Sequence, residues 1–491
     1  MKMKKLLEHL PFYQVTQPIS KLTVQGISMD SRSTGPGDLF VCIRGIKVDG
    51  HDFVQDAVNK GAVAVLCEEE VDTDVPVILV NDTIRALAMA ASAFYGYPSE
   101  LLHVIGVTGT NGKTTITYLL DEIFRRHKKS TGLIGTIQIC VAGKVFPVKN
   151  TTPDALSIQK YLSKMQKSKV DTAIMEVSSH ALDQGRVYGC DFDIAIFTNL
   201  TRDHLDYHDG FDDYLRAKSL LFAQLGNGYN RGRDKYAVIN KDSPVSERFI
   251  RSTSQPLLTY GIDQRADVMA KDYQLKETGT SFTLVTPEEE VLINSPLMGL
   301  FNIYNMLAAA GAALLSGVPL RTIKESFEHT TGVRGRFEPV REGQEYGVVI
   351  DYAHTPDSLE NVLKTISGFC KGAIHVVVGC GGDRDRSKRP MMAQAAMKWA
   401  DHVTFTSDNP RTEDPKQIFK DMTNHLQGTY KLIENRELAI QHALREACKG
   451  DVVLIAGKGH ETYQEIQGIR HHFDDCEVAR KILRRFKESP Q

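Results

Sequence analysis

Basic excess, paired cysteines and long apolar runs are all missing from this chain, and each absence removes a class of function. Lys plus Arg number 59 against 61 for Asp plus Glu, a formal net charge of -2, so no positive field advertises nucleic acid and any bound anion must be met by local groups. The 8 cysteines, at positions 42, 67, 140, 190, 370, 380, 448 and 476, form no C-x-x-C pair. They read as small buried apolar residues of a reduced enzyme, not as a disulfide framework. No stretch approaches the roughly 20 apolar residues of a membrane helix, and the lysine-containing first ten residues lack an apolar signal core. The expectation is a cytoplasmic protein without membrane insertion. Internal repeats and low-complexity tracts are also absent, and 491 residues are too many for one ordinary core, so about three domains are expected.

What is present is an α/β pattern. Short β-like runs at 39–43, 62–66 and 75–80 precede a helical pattern over 83–95, and Gly96-Tyr97-Pro98 punctuates the chain as a domain boundary would. From Leu101 an apolar strand, a Gly-rich turn and an amphipathic segment over 113–127 open an α/β unit. Buried-strand candidates at 172–177 and 194–198 end in polar residues, and ligands of parallel sheets sit outside such carboxyl ends, so chemistry is expected at Glu176 and from Asn199 onward. An Ala-rich helix over 301–316 and a turn-rich boundary at 331–335 follow, then strands at 347–351, 374–379, 402–406 and 452–456.

Thr108-Gly109-Thr110-Asn111-Gly112-Lys113-Thr114 follows a strand and opens a helix, the setting a phosphate loop requires. Backbone N–H groups and the helix start would hold phosphate oxygens, Lys113 would offset their charge and the Thr114 hydroxyl would reach Mg2+. Val107 stands where the standard spacing has glycine, so the loop is a variant. Nucleotide binding by itself leaves kinases, switches and ligases open. Glu176, before Ser178-Ser179-His180, and the Asp- and His-rich run over 203–208 add donors that suit Mg2+ beside a triphosphate.

Together these residues resemble one family. The motifs T-G-T-N-G-K-T, E-V-S-S-H, T-N-L-x-x-D-H-L-D-Y-H, A-K-S-L-L-F, G-x-F-N-x-x-N, G-R-F-E and D-Y-A-H-T-P occur in the order and with the spacing of the Mur ligases, from Asp30 to near Asp475. The resemblance implies three α/β domains: a UDP-muramoyl-binding domain over 1–98, a central P-loop ATPase domain with a mainly parallel sheet over 99–334, and a Rossmann-like amino-acid-binding domain over 335–491. By the same likeness Lys218 matches a lysine N6-carboxylated by CO2, whose carbamate would organise Mg2+ where an ammonium would repel it. Glu176 and His204 match metal ligands beside Thr114. Asn302, Asn305, Arg336 and Asp351 match contacts to the adenine, ribose or phosphates of ATP, and domain closure is expected to bring Arg336 to the γ-phosphate.

The likeness extends to the tripeptide-forming branch. Ser31, in Asp30-Ser31-Arg32, resembles a uridine contact, and Asn150, Thr151, Thr152, Ser178, Gln184 and Arg186 resemble groups holding the muramoyl dipeptide. Asp408-Asn409-Pro410-Arg411, with Arg384, Gly457 and Glu461, resembles the signature for meso-diaminopimelate. Arg411 would take the distal carboxylate and Glu461 an ammonium. Lysine would leave Arg411 unpartnered, worth on the order of a 10⁴-fold preference. The expected reaction is ATP-dependent addition of meso-diaminopimelate to UDP-N-acetylmuramoyl-L-alanyl-D-glutamate through an acyl phosphate, by a monomer. Rival readings are the lysine-adding branch, the D-alanyl-D-alanine-adding relative, folylpolyglutamate synthetase and a P-loop switch. No base for the attacking amine stands out among the histidines.

Overall fold

The computed structural model describes residues 1–10, 12–45, 48–201, 203, 207–227, 233–276 and 278–488. The described residues build three large sheets of 5, 11 and 6 strands and a two-stranded hairpin.

In the first sheet Val77–Leu79, Ala64–Cys67, Asp38–Val41 and Gly26–Ser28 run parallel, with Gln14–Val15 antiparallel at one edge. The helix Thr83–Tyr95 packs its Ala-rich face on it. Its ends follow from local chemistry: the Asp82 carboxylate accepts the Arg85 N–H at the start, and Gly96, at φ 78°, takes the left-handed cap that a Cβ would disfavour.

The strand His103–Thr108 lies in the middle of the 11-stranded sheet, between Thr172–Glu176 and Ile194–Phe197, all parallel. Its successor in the chain, Thr131–Ile134, pairs beyond Thr172–Glu176, while Ile194–Phe197 pairs on the other side. The order therefore reverses at His103–Thr108, and a crevice opens above its carboxyl end. These strands are apolar on both faces because helices cover both: alternate residues Ile105, Val107, Ile174 and Ile196 join one core with Lys113–Arg126 and Leu300–Leu315, and Val104, Ala173, Met175 and Phe197 join the other.

In the 6-stranded sheet, Gly347–Asp351, Val452–Ala456, Ile374–Val378, His402–Phe405 and Lys431–Leu432 run parallel, in that order. Their carboxyl ends share one side, so the loops after Asp351, Val378, Phe405 and Ala456 meet. A fully buried pair ties this unit together: Arg436 holds the Asp475 carboxylate with two hydrogen bonds of 2.7 Å. No helix among the described residues is long and apolar enough to cross a membrane.

Two sequence expectations need correction. The β-like run at 39–43 stops at Val41, because Gly50 returns its N–H to the Ile43 carbonyl and turns the chain away. Buried cysteines are limited to Cys42, Cys67 and Cys476: Cys448 is exposed in the turn before Asp451, and the others are half-buried, all as free thiols.

Candidate active site

The loop over 108–114 lies at the reversal point, and two of its glycines are required by contact. A Cβ on Gly109, at φ 146°, would sit 1.8 Å from Thr198 Oγ1, and one on Gly112, at φ 89°, would sit 2.4 Å from Asn305 Oδ1. Val107 replaces the missing glycine at no cost because it is a buried strand residue, paired with Glu176 and Ile196. The loop is braced from the next strand: Asn199 Oδ1 accepts the Asn111 N–H at 2.9 Å, and Thr198 Oγ1 donates to the Asn111 carbonyl at 2.7 Å. The Thr110 hydroxyl lies 3.1 Å from the Tyr214 hydroxyl, while Thr108 Oγ1 is buried without a partner.

Two lysines converge on the loop. Lys113 Nζ donates to the carbonyls of Gly109 and Thr110 at 2.8 and 2.7 Å, and Lys218 Nζ donates to the same Gly109 carbonyl at 2.8 Å. Lys218 is 1 % exposed, and its ammonium lies 4.7 Å from the Tyr214 ring centroid. Burial first, and repulsion by Lys113 second, hold Lys218 well below the ordinary lysine range; burial also lowers Lys113. Asp203, whose charge opposes the Lys218 shift, is paired with Lys388 at 2.8 Å.

Beside these cations Glu176, 1 % exposed, accepts from the Thr114 hydroxyl at 2.9 Å, the Thr136 N–H at 2.8 Å and the Thr136 hydroxyl at 2.9 Å. The carboxylate and the Thr114 hydroxyl are oxygen donors of the kind Mg2+ prefers. No group of three His, Cys, Asp or Glu among the described residues is placed to hold a metal, and His204 lies outside the described residues.

Arg336 is already at the loop. Its Nη2 donates to Thr114 Oγ1 at 3.3 Å, its guanidinium lies 4.5 Å from the Tyr352 ring centroid, and its Nε is buried without a partner. Asn305 donates to Asn302 Oδ1 at 3.1 Å, and Asn302 to the Met298 carbonyl at 2.9 Å, which fixes the Asn305 amide against Gly112. Asp351 accepts the Phe337 N–H at 2.7 Å. Burial pushes the Asp351 carboxyl up from 3.8 to about 6, with Arg336 opposing. The folded protein therefore binds this proton more tightly than the unfolded chain, so stability falls as pH rises from 3.8 through about 6 and stays lower above. Asp351→Asn, which keeps an acceptor for the Phe337 N–H, is expected to be more stable than the parent at about pH 8 by on the order of 2 kcal/mol, with the gain gone near pH 3. Urea unfolding at the two pH values checks this; a variant less stable at the higher pH contradicts it.

The dipeptide candidates gather on the opposite side of Glu176. Thr152 Oγ1 donates to the Glu176 carbonyl at 2.8 Å and accepts the Ser178 N–H at 3.0 Å, and Thr151 Oγ1 lies 3.2 Å from Thr136 Oγ1. Arg186 donates to the Thr152 carbonyl at 2.9 Å and to Gln184 Oε1 at 3.0 and 2.7 Å. Asn150 is exposed and makes no hydrogen bond among the described residues. Ser31 is buried in the first unit, its carbonyl accepting from Lys60 at 2.9 Å. Its neighbour Asp30 is held down to about 2, chiefly by the Arg32 hydrogen bond.

The acceptor candidates come together although they are far apart in sequence. Asn409 Nδ2 donates to Glu461 Oε2 at 2.8 Å, and Gly457 lies so close to Asp408 that a Cβ would meet its carboxylate at 2.7 Å. Arg411, at φ 51°, follows Pro410 and donates from Nη1 to the Gly382 carbonyl at 2.6 Å. Of the charged loop over 381–389, Arg389 is buried against Glu413 and Asp421, Arg386 pairs with Asp421 and Lys388 with Asp203, whereas Arg384 is exposed with no ion pair among the described residues.

Sequence reading passed over three contributors. Lys458 is fully buried and donates to Asn409 Oδ1 at 3.0 Å and Glu461 Oε2 at 3.1 Å, so that carboxylate is already held by a cation; the signal was a lysine between glycines after a buried strand. Asp357, on the first turn of Pro356–Ser367, accepts from Asn111 at 3.3 Å and Thr201 at 2.9 Å and joins the third unit to the loop. Thr136 gave no signal.

Comparison with known proteins accounts for this arrangement along the whole chain. Residues 23–95 match the Mur ligase family catalytic domain, 107–313 the Mur ligase middle domain and 335–459 the Mur ligase glutamate ligase domain. A UDP-N-acetylmuramoyl-L-alanyl-D-glutamate–2,6-diaminopimelate ligase of Oceanobacillus iheyensis is 54% identical over 99% of both chains. A solved structure of a ligase of that same name is 36% identical, with a TM-score of 0.71 and 99% of each chain covered. The MurF ligase from Thermotoga maritima, solved with ADP, shares the fold at 19% identity, with a TM-score of 0.65 over 95% of this chain and 99% of that one. With a phosphate loop, a buried lysine and an acceptor cluster set on three α/β units in this order, the chain belongs to the Mur ligase family.

Proposed function

We propose that this chain is an ATP-dependent amide ligase that adds meso-2,6-diaminopimelate to UDP-N-acetylmuramoyl-L-alanyl-D-glutamate, as a monomer in the cytoplasm, in peptidoglycan synthesis. The observation that carries the reading is the convergence of residues 408–411 with Glu461 on the carboxyl side of the 6-stranded sheet, in the unit whose Arg336 reaches Thr114 of the phosphate loop. The relatives named for this reaction, similar over nearly the full chain, support it. Residues 1–98 would take the uridine end of the nucleotide, 99–334 the ATP and 335–491 the amino acid.

In this reading the N–H groups of the loop over 109–114 and the amine of Lys113 hold the phosphates of ATP, and Asn302, Asn305 and Asp351 hold the nucleoside from either side. Arg186, Ser178 and Thr152 hold the dipeptide so that its D-glutamate side-chain carboxylate faces the γ-phosphate. That carboxylate oxygen attacks phosphorus, the bond to the ADP oxygen breaks, and an acyl phosphate results. The amine of diaminopimelate then displaces phosphate. Arg336 offsets charge on the transferred group, and positioning supplies most of the rate. Thr114, Glu176, His204 and a carbamate on Lys218 would hold Mg2+, which when bound neutralises charge between phosphate oxygens. A buried amine with lowered proton affinity, carrying among the described residues only a carbonyl contact and a ring face, suits reaction with CO2 better than service as a cation.

ADP release tests the ligase reading against a nucleotide switch. Steady turnover is expected only when the UDP-muramoyl dipeptide and the amino acid are both present. ATP hydrolysis at the same rate without either would make the chain a switch.

A further inference from the structure

The imidazole of His460 stands between the two halves of the site. It follows Gly459 and precedes Glu461, and its backbone lies against Gly335, where a Cβ would come within 2.1 Å of the His460 nitrogen. Its ring is 5.0 Å from the Tyr352 ring, which also carries the Arg336 guanidinium at 4.5 Å. One aromatic platform thus links the residue at the phosphate loop to the residue beside the acceptor cluster. His460 Nδ1 is buried without a hydrogen-bond partner, and the ring makes no hydrogen bond among the described residues. A buried ring nitrogen left unpaired inside a polar site is rare and calls for a ligand.

Two other histidines near the site are committed. His354 Nδ1 lies 2.8 Å from the Tyr352 carbonyl. His208 is spanned by Asp213 at 3.1 Å and Ser179 at 2.9 Å.

We propose that His460 is the general base that removes a proton from the diaminopimelate ammonium before it attacks the acyl phosphate. The assignment rests on the acyl-phosphate reading above. The ammonium gives one proton to the unpaired imidazole nitrogen, and the freed lone pair forms the C–N bond at the acyl carbon. The tetrahedral intermediate then expels phosphate with the electrons of the C–O bond. A second proton leaves the nitrogen for the departing phosphate, and the imidazolium returns the first to solvent.

The charges around the ring give it a timing. Burial, then Arg336, Arg334, His354 and Lys458, hold the imidazole down to about 3, so it is neutral in the free enzyme. Arg334 is offset by Asp474, Lys458 by Glu461, and Tyr352 faces the ring without charge. Arg336 has no carboxylate partner by ion pair among the described residues, and it is the neighbour an acyl phosphate would neutralise. Neutralising Arg336 removes the largest depressing influence after burial, so proton affinity at His460 rises when the acyl phosphate is in place.

Hydroxylamine, which is largely unprotonated near neutral pH, needs no base and traps an acyl phosphate as a hydroxamate. His460→Asn and His460→Gln are expected to form dipeptide hydroxamate at the parental rate from ATP, while ligation of diaminopimelate falls about 10²–10³-fold. In the variants ligation should climb roughly tenfold per pH unit toward the ionisation of the amine itself, where the parent is flat. Parental ligation in both variants overturns the assignment. So does loss of hydroxamate and ligation in parallel, which would place His460 in phosphoryl transfer or in the fold. A parent that traps no hydroxamate overturns the acyl-phosphate reading, and the base with it.

Discussion

Lys218→Ala is expected to lower ligation by about 10²–10³-fold, and Lys218→Arg to be no better. The two variants separate two uses of the same side chain. As an ammonium Lys218 would be a second cation on the Gly109 carbonyl already used by Lys113, removed from water without a carboxylate at contact distance among the described residues, an arrangement that costs several kcal/mol and repels Mg2+. As a carbamate it would place one negative charge, shared by two oxygens, at the Gly109 carbonyl of the phosphate loop, and the depressed proton affinity is what lets the neutral amine react with CO2. Arginine keeps the positive charge and cannot form the carbamate. Steady-state ADP release in the two variants, with a carbamate carbonyl resonance in the parent supplied with 13C-bicarbonate, checks the assignment. Full activity in the alanine variant, or recovery in the arginine variant, contradicts it.

Arg411→Ala is expected to reduce kcat/KM for meso-diaminopimelate by about 10³-fold and to bring lysine to within about tenfold of it. The geometry gives the reason. Pro410 and the left-handed backbone at Arg411, φ 51°, aim the side chain back across the sheet end, and the Gly382 carbonyl holds Nη1 while the rest of the fork makes no hydrogen bond among the described residues. A distal carboxylate completes that fork, and lysine leaves it open. Glu461 contributes less to the discrimination, because Lys458 and Asn409 already occupy its Oε2 whichever amino acid enters. Competition between the two amino acids in one reaction measures the ratio; an alanine variant that still prefers diaminopimelate by the parental factor would move the specificity elsewhere.

Much of the central sheet could be read from the chain because its strands are buried on both faces and end in polar residues. The runs at 172–177 and 194–198 became Thr172–Glu176 and Ile194–Phe197, and Glu176 stands at the end of the first. The helix Thr83–Tyr95 was equally legible, since Asp82 and Gly96 are strong stop signals. The antiparallel extension over Val268–Lys276, Gly279–Val285 and Glu290–Ser295 was not: in its first strand the exposed run over 271–274 and a bulge between Lys271 and Gln274 break the period of two. In the site, residues proposed to act on a ligand carried recognisable motifs, whereas those that hold other residues did not. Lys458 meets Asn409 across 49 positions and Asp357 meets Asn111 across 246, and no local pattern encodes such meetings. Arg336 was expected at the phosphates only after closure, yet it already touches Thr114, because Gly335 seats the preceding turn against Gly459.

The most direct test of the central claim is product analysis by mass spectrometry after incubating the protein with ATP, the UDP-muramoyl dipeptide and a panel of amino acids offered one at a time. One UDP-muramoyl tripeptide containing meso-diaminopimelate is expected, formed with one ADP per product, and little with lysine. Efficient lysine incorporation would contradict the acceptor assignment, and ADP formed without any peptide product would contradict the ligase itself.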